Sequence, residues 1–257
     1  MDDKSIVEMA VLAGEIMLRS GAETYRVEDT MKHILGTTGT AEAEALVMLT
    51  SIMVTVSRPG EDTVTVMRRV YDRGTNMHRI VEVNEISRKY CAGELSAEEA
   101  RKKLKNIKGK QYTTWMYNLA TVMVPAGFAP LFGGGLAEFI SAAAAGVILA
   151  VLMTIGKRIR LGGFVLNVLC AAGVAAAAAV LKVTEPVVNM DTVIISSIMP
   201  MVPGVAITNA IRDTLRGDYI SGGARALEAF VTAAAVAIGV GAGIASVNIL
   251  WQGGVLL

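Results

Sequence analysis

The polar residues best placed to do chemistry surround an interruption in a long apolar run. Pro200, Pro203 and Gly204 lie in the middle of that run. Each proline removes a backbone N–H donor and clashes with the preceding helical turn. The freed carbonyl groups then need partners from protein or from water that lines a cavity, and interrupted membrane helices are common at transporter binding sites. A kink that serves packing alone is equally compatible with the sequence.

Thr208, Asn209 and Asp213 follow this interruption. Asn209 and Asp213 lie at positions i and i+4, so they share one face of a helix and are candidates for a substrate or ion pathway. For Asp213 alone, the sequence favours a different role, an ion pair at the membrane interface. Three nearby arginines are its candidate partners: Arg212, Arg216 and Arg225.

Glu138 and Asn118 are further polar candidates within apolar segments. Polar groups are costly in the hydrocarbon region and usually face the interior of a helix bundle. Glu138 is therefore a candidate carrier of a coupling proton, and the alternative is a position in the outer headgroup region. Glu138 and Asn118 are therefore also candidate residues of the substrate or ion pathway.

A dense polar group lies near the N-terminus and contains Glu23, Arg26, Glu28 and Asp29. These four residues are candidate functional residues of the cytoplasmic domain. A solvated first turn of a helix is the alternative interpretation, and it is favoured.

The two His and two Cys residues are isolated, so no metal site, disulfide or cofactor is predicted. The net charge of +1 gives no indication of a nucleic-acid partner.

The elements that must position these residues are mostly membrane helices. Of 24 Lys and Arg residues, 17 lie between Lys4 and Lys110, and the last 147 residues hold only seven. The remaining runs leave no polar face for water, and each has about the 20 residues that a bilayer requires. We therefore predict an α-helical polytopic membrane protein in which residues 113–257 carry about five transmembrane helices. The expected spans are 114–132, 136–155, 162–181, 192–211 and 226–250.

Positive charge alternates between the loops that join these spans. It precedes the first span and returns after the second and the fourth, whereas the opposite side holds only Lys182. Because positively charged loops stay on the cytoplasmic side, the N-terminus is predicted to be cytoplasmic and the C-terminus to lie outside the inner (plasma) membrane.

Residues 1–112 are predicted to form a cytoplasmic α+β domain of order α-α-β-β-β-α-α. Helical periodicity alternates with β-branched stretches that repeat every second residue. The three predicted strands are Glu42–Thr50, Ser51–Arg58 and Asp62–Val70, with a turn at Arg58–Glu61.

Gly239 and Gly243 mark a face of the last span on which another helix can approach closely. This pattern indicates helix packing within the chain or association with a second copy. The sequence alone leaves both open.

Three segments resemble the signature of the threonine/serine exporter family. They are Ser20–Met31 (SGAETYRVEDTM), Arg73–Asn76 (RGTN), and Pro200–Asp213 together with Gly217–Tyr219. The resemblance runs through nearly the whole chain in matching order. It implies efflux of small polar metabolites, either threonine and serine or a dicarboxylate such as succinate. Full-length relatives carry a second, smaller membrane module, so the resemblance is to the larger module of the split, two-component type and implies a smaller membrane subunit as partner.

The leading hypothesis is therefore a subunit of a secondary exporter. The chain contains no nucleotide-binding motif, which favours coupling to an ion or proton gradient. Two alternatives are a membrane-embedded enzyme with an acid/base centre at Glu23–Asp29 or Glu138, and a membrane-anchored scaffold for assembly.

Overall fold

The computed structural model describes residues 3–39, 42–57, 60, 63–107, 112–185 and 188–252. The chain forms two compact units. Unit 1 contains Met1–Gln111 and Gly204–Glu228, and unit 2 contains Tyr112–Pro203 and Ala229–Leu257. This division differs from the single boundary expected near residue 112, because a segment assigned from sequence to the membrane part clusters with the N-terminal part.

Unit 1 has the predicted order of two helices, three strands and two helices. These are α1 (Asp3–Arg19), α2 (Thr24–Gly36), β1 (Glu42–Met48), β2 (Ser51–Ser57), β3 (Val64–Arg69), α3 (Met77–Cys91) and α4 (Ala97–Lys105). The strands form one antiparallel sheet of order β1-β2-β3. Of the predicted turn at Arg58–Glu61, only Gly60 lies within the described residues; its φ is +85°.

The core of unit 1 lies between the sheet and α1 and α2, and α3 and α4 pack against α1. Ile52 and Val54 of the central strand are fully buried, and Val54 pairs with Ala45 on one side and Val66 on the other. Their alternation with less buried neighbours fixes which face of the sheet meets the helices. Met17 and Met31 contribute the flexible side chains of this core.

Unit 2 is helical. It contains α5 (Thr114–Leu131), α6 (Leu136–Arg158), α7 (Gly163–Thr184), α8 (Met190–Ile198) and a 3-10 turn (Met199–Met201). Helix α9 (Gly204–Leu215) belongs to unit 1, and α10 (Tyr219–Gln252) runs from unit 1 into unit 2.

Three helices are long and apolar enough to span a membrane: α6, α7 and α10. A fourth is obtained if α8 with its 3-10 turn and α9 count as one span. The predicted spans 136–155 and 226–250 lie within α6 and α10, and 162–181 agrees with α7 to within one residue at its start. The expected count of about five is thus not reached among the described residues.

Two features explain the difference. Helix α5 occupies the first predicted span, but Tyr117, Asn118 and two prolines lower its mean hydropathy. The fourth predicted span, 192–211, is not one continuous helix, because α8 ends at Ile198 and helical structure stops again at Val202-Pro203. The prolines therefore interrupt the helix as the sequence indicated.

The glycine face of α10 is occupied by α7. A Cβ atom added at Gly243 would lie 2.3 Å from Ala172 O, and one at Gly239 would lie 2.4 Å from Val168 O. The two helices approach closely enough that only glycine fits at these positions. Of the two roles left open by the sequence, this face serves packing within the chain, so it is not a free surface for a second copy.

Candidate functional site

The connection between α1 and α2 is a tight loop that exposes its carbonyl groups to the rest of unit 1. Gly21 adopts a φ of +85°, and a Cβ atom there would lie 2.9 Å from Gly74 O. Glycine is required at this position for both reasons. The loop thereby directs the carbonyls of Gly21 and Ala22 towards side chains from α9 and α10.

Asn209 and Arg225 bind these two carbonyls. Asn209 Nδ2 donates to Gly21 O at 2.9 Å, and Arg225 Nη2 donates to Ala22 O at 2.7 Å. Both side chains are buried. Because a buried donor without an acceptor is costly, these bonds fix the loop relative to α9 and α10 within unit 1.

Asp213 is fully buried and joins the same loop to Arg225. Its Oδ1 accepts hydrogen bonds from Thr24 N at 3.3 Å and Thr24 Oγ1 at 2.9 Å. Its Oδ2 lies 2.9 Å from Arg225 Nε. The carboxylate is therefore neutralised by a guanidinium and hydrogen-bonded on its other oxygen, as a buried charge requires. Of its three candidate arginines, the structure selects Arg225.

Glu23, the residue before α2, is the second buried acid of this arrangement. It forms an ion pair and hydrogen bond with Arg212 and lies 3.6 Å from Arg26. Burial alone would raise the pKa of the Glu23 carboxyl, but its backbone hydrogen bond and the two arginines outweigh burial and hold the pKa below its usual value. Beside it, the Arg216 guanidinium lies 4.1 Å from the centre of the Tyr25 ring.

The segment 73–76 completes this arrangement. Gly74 N donates to Arg19 O and Asn76 N donates to Ser20 O, each at 2.9 Å. Arg73 Nη1 donates to Glu228 Oε2 at 3.0 Å. The three segments that carried the family resemblance thus meet in one place. We call the cluster formed by residues 19–26, 73–76, 209–216, 225 and 228 the polar junction.

Other candidates from the sequence lie outside the polar junction. Glu28 Oε1 accepts from Val47 N at 2.9 Å and so ties α2 to β1. Asp29 is exposed and pairs with His33 at 3.5 Å. Thr208 Oγ1 donates to Gly204 O of its own helix at 3.0 Å. The dense polar group at Glu23–Asp29 is therefore divided, with Glu23 and Arg26 in the polar junction.

Glu138 and Asn118 have local partners in unit 2. Glu138 Oε2 accepts from Gly135 N at 2.7 Å, and its Oε1 accepts from Asn189 N at 2.9 Å. Glu138 thus caps the start of α6 and holds the residue that precedes α8. Asn118 Oδ1 accepts from Thr154 Oγ1 at 3.3 Å and joins α5 to α6.

Pro200 lies in the 3-10 turn, and Pro203 lies in the non-helical link before Gly204. The side chain of Ser197, one turn earlier, is fully buried in unit 2, and its Oγ has no hydrogen-bond partner among the described residues. The interruption therefore lies beside an unsatisfied hydroxyl group.

Sequence reasoning gave no role to Thr24, and it named Arg225 only as one of three candidate partners of Asp213, not as a partner of the α1–α2 loop. Their partners lie far away in the chain, since Thr24 and Asp213 are 189 residues apart and Ala22 and Arg225 are 203 apart. No local pattern reports such a pairing. The one usable signal was that both residues lie in or beside the segments that carry the family resemblance.

The chemistry of the polar junction is that of binding and positioning. Its two buried acids are paired with arginines. Within the part of the chain that the structure describes, no group of three His, Cys, Asp or Glu residues is arranged to hold a metal ion.

Comparison with known proteins agrees with this interpretation. The family model described as threonine/serine exporter (ThrE) matches residues 8–247. The chain is 25% identical to the "Probable succinate transporter subunit YjjP" of Klebsiella aerogenes, over 93% of each protein. It is 24% identical to the Escherichia coli protein of the same name, over 92% of this chain and 93% of the relative.

A longer relative is the "Probable threonine/serine exporter" of Mycobacterium tuberculosis, which is 21% identical over 92% of this chain but only 45% of its own length. No solved structure matches this chain significantly. All three relatives are named as transporters or exporters, and α6, α7 and α10 are apolar enough to span a membrane. Since the family model covers nearly the whole sequence, this chain is a membrane protein that belongs to the threonine/serine exporter family.

Proposed function

We propose that this chain is one subunit of a secondary exporter for small polar metabolites, either threonine and serine or a dicarboxylate such as succinate. The observation that carries the proposal is the family match over residues 8–247. The two kinds of relative leave both substrate classes as candidates, since one is named for succinate and the other for threonine and serine.

The partner is a smaller membrane subunit of the same family. Two observations support it. The relatives that this chain matches over 93% of their length are named as subunits, whereas the exporter from M. tuberculosis is more than twice as long as the matched part. A second copy of this chain is the competing arrangement, but the glycine face of α10 that favoured it is occupied by α7.

The substrate pathway includes the interruption at Pro200–Gly204 and the side chains that follow it. Support comes from the break in helical structure at Val202-Pro203 and from the unsatisfied hydroxyl of Ser197. Interrupted helices bind substrates where their freed backbone groups line a cavity. Asn209 and Asp213 act at the cytoplasmic end by holding the polar junction together.

Flux measurements test the exporter proposal. The purified chain in proteoliposomes should give background efflux of labelled threonine, serine and succinate, and efflux should rise when the smaller subunit is reconstituted with it. Strong gradient-driven flux from this chain alone would favour a homo-oligomer. Chemical conversion of a substrate, without flux, would favour the enzyme alternative, and neither flux nor conversion would favour an assembly scaffold.

We also propose that the protein lies in the inner membrane with its N-terminus and residues 1–112 in the cytoplasm and its C-terminus outside. Support comes from the alternation of positive charge between the loops. The number of spans makes the proposal testable, because an odd number places the termini on opposite sides and an even number on the same side. A reporter fused after Leu257 should behave as external, and cytoplasmic activity there would contradict an odd count.

A further inference from the structure

Unit 1 contains a cavity of about 90 Å³ beside the polar junction. The α1–α2 loop, the segment 73–75, the first turn of α9 and the N-terminal part of α10 all contribute to its wall. The residues with chemical character are Arg73, Thr75, Arg225 and Glu228. Two guanidinium groups, a hydroxyl and a carboxylate thus surround a space of the size of a small metabolite.

Arg73 has unused hydrogen-bonding capacity in this wall. Its Nη1 donates to Glu228 Oε2 at 3.0 Å, but its Nε is buried with no hydrogen-bond partner among the described residues. A guanidinium group has five N–H donors in a planar fork that matches a carboxylate. A ligand carboxylate in the cavity would accept from the guanidinium N–H groups of Arg73 that are not bonded to Glu228.

The first turn of α9 strengthens the preference for an anionic group. Val205 and Ala206 line the cavity directly after the helix begins at Gly204. The first N–H groups of a helix have no acceptor within the helix, and the helix dipole places partial positive charge there. This contribution adds to that of Arg73 and does not depend on it.

The charges around the cavity are nearly balanced. Arg225 is paired with Asp213 at 2.9 Å, and Arg73 is paired with Glu228 at 3.0 Å. A ligand with two carboxylates would bring excess negative charge and place one of them near Glu228. A ligand with one carboxylate and one ammonium group would instead leave this balance of charge unchanged.

We propose that this cavity binds the carboxylate group of a small metabolite and that Arg73 is its principal partner. The proposal deepens the proposed function, because both candidate substrate classes carry a carboxylate. The charge balance further assigns tighter binding to a zwitterionic amino acid than to a dicarboxylate.

Calorimetric titration of the purified full chain in lipid nanodiscs tests the proposal. The probes are L-threonine, L-serine and succinate, with L-threoninol as a control that keeps the ammonium and hydroxyl groups but lacks the carboxylate. We expect threonine and serine to bind more tightly than succinate, and threoninol not to bind. Binding of threoninol as tightly as threonine, or no binding of any probe, would overturn the proposal.

Two variants of the cavity locate the site. Arg73→Gln should weaken binding about tenfold or more, the loss expected when a charge-assisted hydrogen bond is removed. Ala206→Leu should abolish binding by filling the cavity without changing its charge, and it carries the test if Arg73→Gln fails to fold. The matched control is Arg69→Gln, because Arg69 is exposed and lies over Tyr71 at 5.5 Å, outside the cavity. Unchanged binding in a folded Ala206→Leu variant would contradict the site.

Glu228→Gln distinguishes the two ligand classes. It should weaken binding of threonine and serine, which lose the partner of their ammonium group, and should not weaken binding of succinate. Equal weakening for all three probes would overturn the assignment of the zwitterion.

Comparison with flux separates this inference from the proposed function. Binding that follows the expected pattern, in a reconstituted pair that transports none of the probes, would retain the cavity and reject the exporter proposal. If the wild-type chain binds no probe and the Arg73→Gln or Ala206→Leu variant still shows normal flux, the cavity proposal is rejected and the exporter proposal is retained.

Discussion

In unit 1, charges and hydrogen bonds join segments that are far apart in sequence, whereas in unit 2 the helices meet through glycine and alanine. Asp213 is fully buried and needs both Thr24 and Arg225 as partners. At Gly243 the requirement is steric, because there is no space for a side chain opposite Ala172 O. Buried charges need directional polar partners, while helices in a bilayer gain most from close packing.

The two units should therefore be destabilised by different kinds of substitution. Removal of a charge should damage unit 1, since it leaves a buried partner without compensation. Addition of a methyl group should damage unit 2, since there is no space for it. The following substitutions test this contrast in order of expected effect.

The largest effect is expected for Asp213→Ala. It leaves the Arg225 guanidinium, with a side chain only 7% exposed, without its counter-ion. We expect the free energy of unfolding to fall by about 3–5 kcal/mol, as for other broken buried ion pairs. Chemical denaturation in detergent, followed by a probe in unit 1, measures it.

The matched control is Asp72→Asn, whose side chain is 93% exposed and lies 3.8 Å from Arg19. It should change stability by no more than about 0.5 kcal/mol. Equal effects of the two substitutions would show that the buried pair does not stabilise the polar junction.

Gly243→Ala tests unit 2. The new Cβ atom would lie 2.3 Å from Ala172 O, a backbone atom that cannot move without shifting α7. We expect a loss of about 1–3 kcal/mol from overpacking, seen as a lower thermal transition.

Gly241→Ala is its control on the same helix, because no atom lies within 4 Å of a Cβ atom there. Alanine favours a helix over glycine by up to about 1 kcal/mol, so this variant should be neutral or slightly more stable in an otherwise identical measurement. If both alanine variants behave alike, α7 and α10 do not pack as closely as described.

Gly21→Ala tests the loop of the polar junction by size and not by charge. A φ of +85° is unfavourable for alanine, and its Cβ atom would lie 2.9 Å from Gly74 O. We expect a loss of about 1–2 kcal/mol. Gly36 lies at the end of α2, and no atom lies within 4 Å of a Cβ atom added there, so Gly36→Ala should cause no loss of stability. A comparable loss of stability in both variants would argue against strain at Gly21.

The smallest effect concerns pH. The pKa of Glu23 is lower in the folded protein than in the unfolded chain, so the unfolded state binds more protons as the pH falls. The stabilisation from Glu23 is therefore present above the ordinary carboxyl pKa and is lost as the pH falls through the lowered pKa. Glu23→Gln should remove this acid-side loss when unfolding is measured as a function of pH.

Glu98→Gln provides the control, because Glu98 is an exposed residue in the first turn of α4. Its pH profile should follow that of the wild type. A Glu23→Gln profile that also follows the wild type would remove Glu23 from the charge network of unit 1.

Much of the architecture was readable from local sequence. The apolar runs of α6, α7 and α10, the period change at β1–β3 and the effect of Pro200 and Pro203 all depend on neighbouring residues, so they were predicted close to their observed positions. The expected count of about five spans was not reached, since three or four spans qualify among the described residues.

The candidate site was predicted in parts. The sequence pointed to Asn209, Asp213 and Glu23 as polar groups that needed an explanation, and it named an arginine partner for Asp213 among three. It made Glu138 a candidate carrier of a coupling proton or a residue of the headgroup region, and the structure adds that both of its carboxylate oxygens accept from main-chain N–H groups.

The sequence by itself determined the class of protein, the family and the elements, since hydropathy, periodicity and motifs are local properties. Only the tertiary structure decided that residues 204–228 belong with the N-terminal unit and that the three family segments meet. It also decided that α7 covers the glycine face of α10. The physical reason is the same in each case: a buried hydrogen bond or a close backbone approach depends on which distant segments become neighbours, and no window along the chain contains both partners.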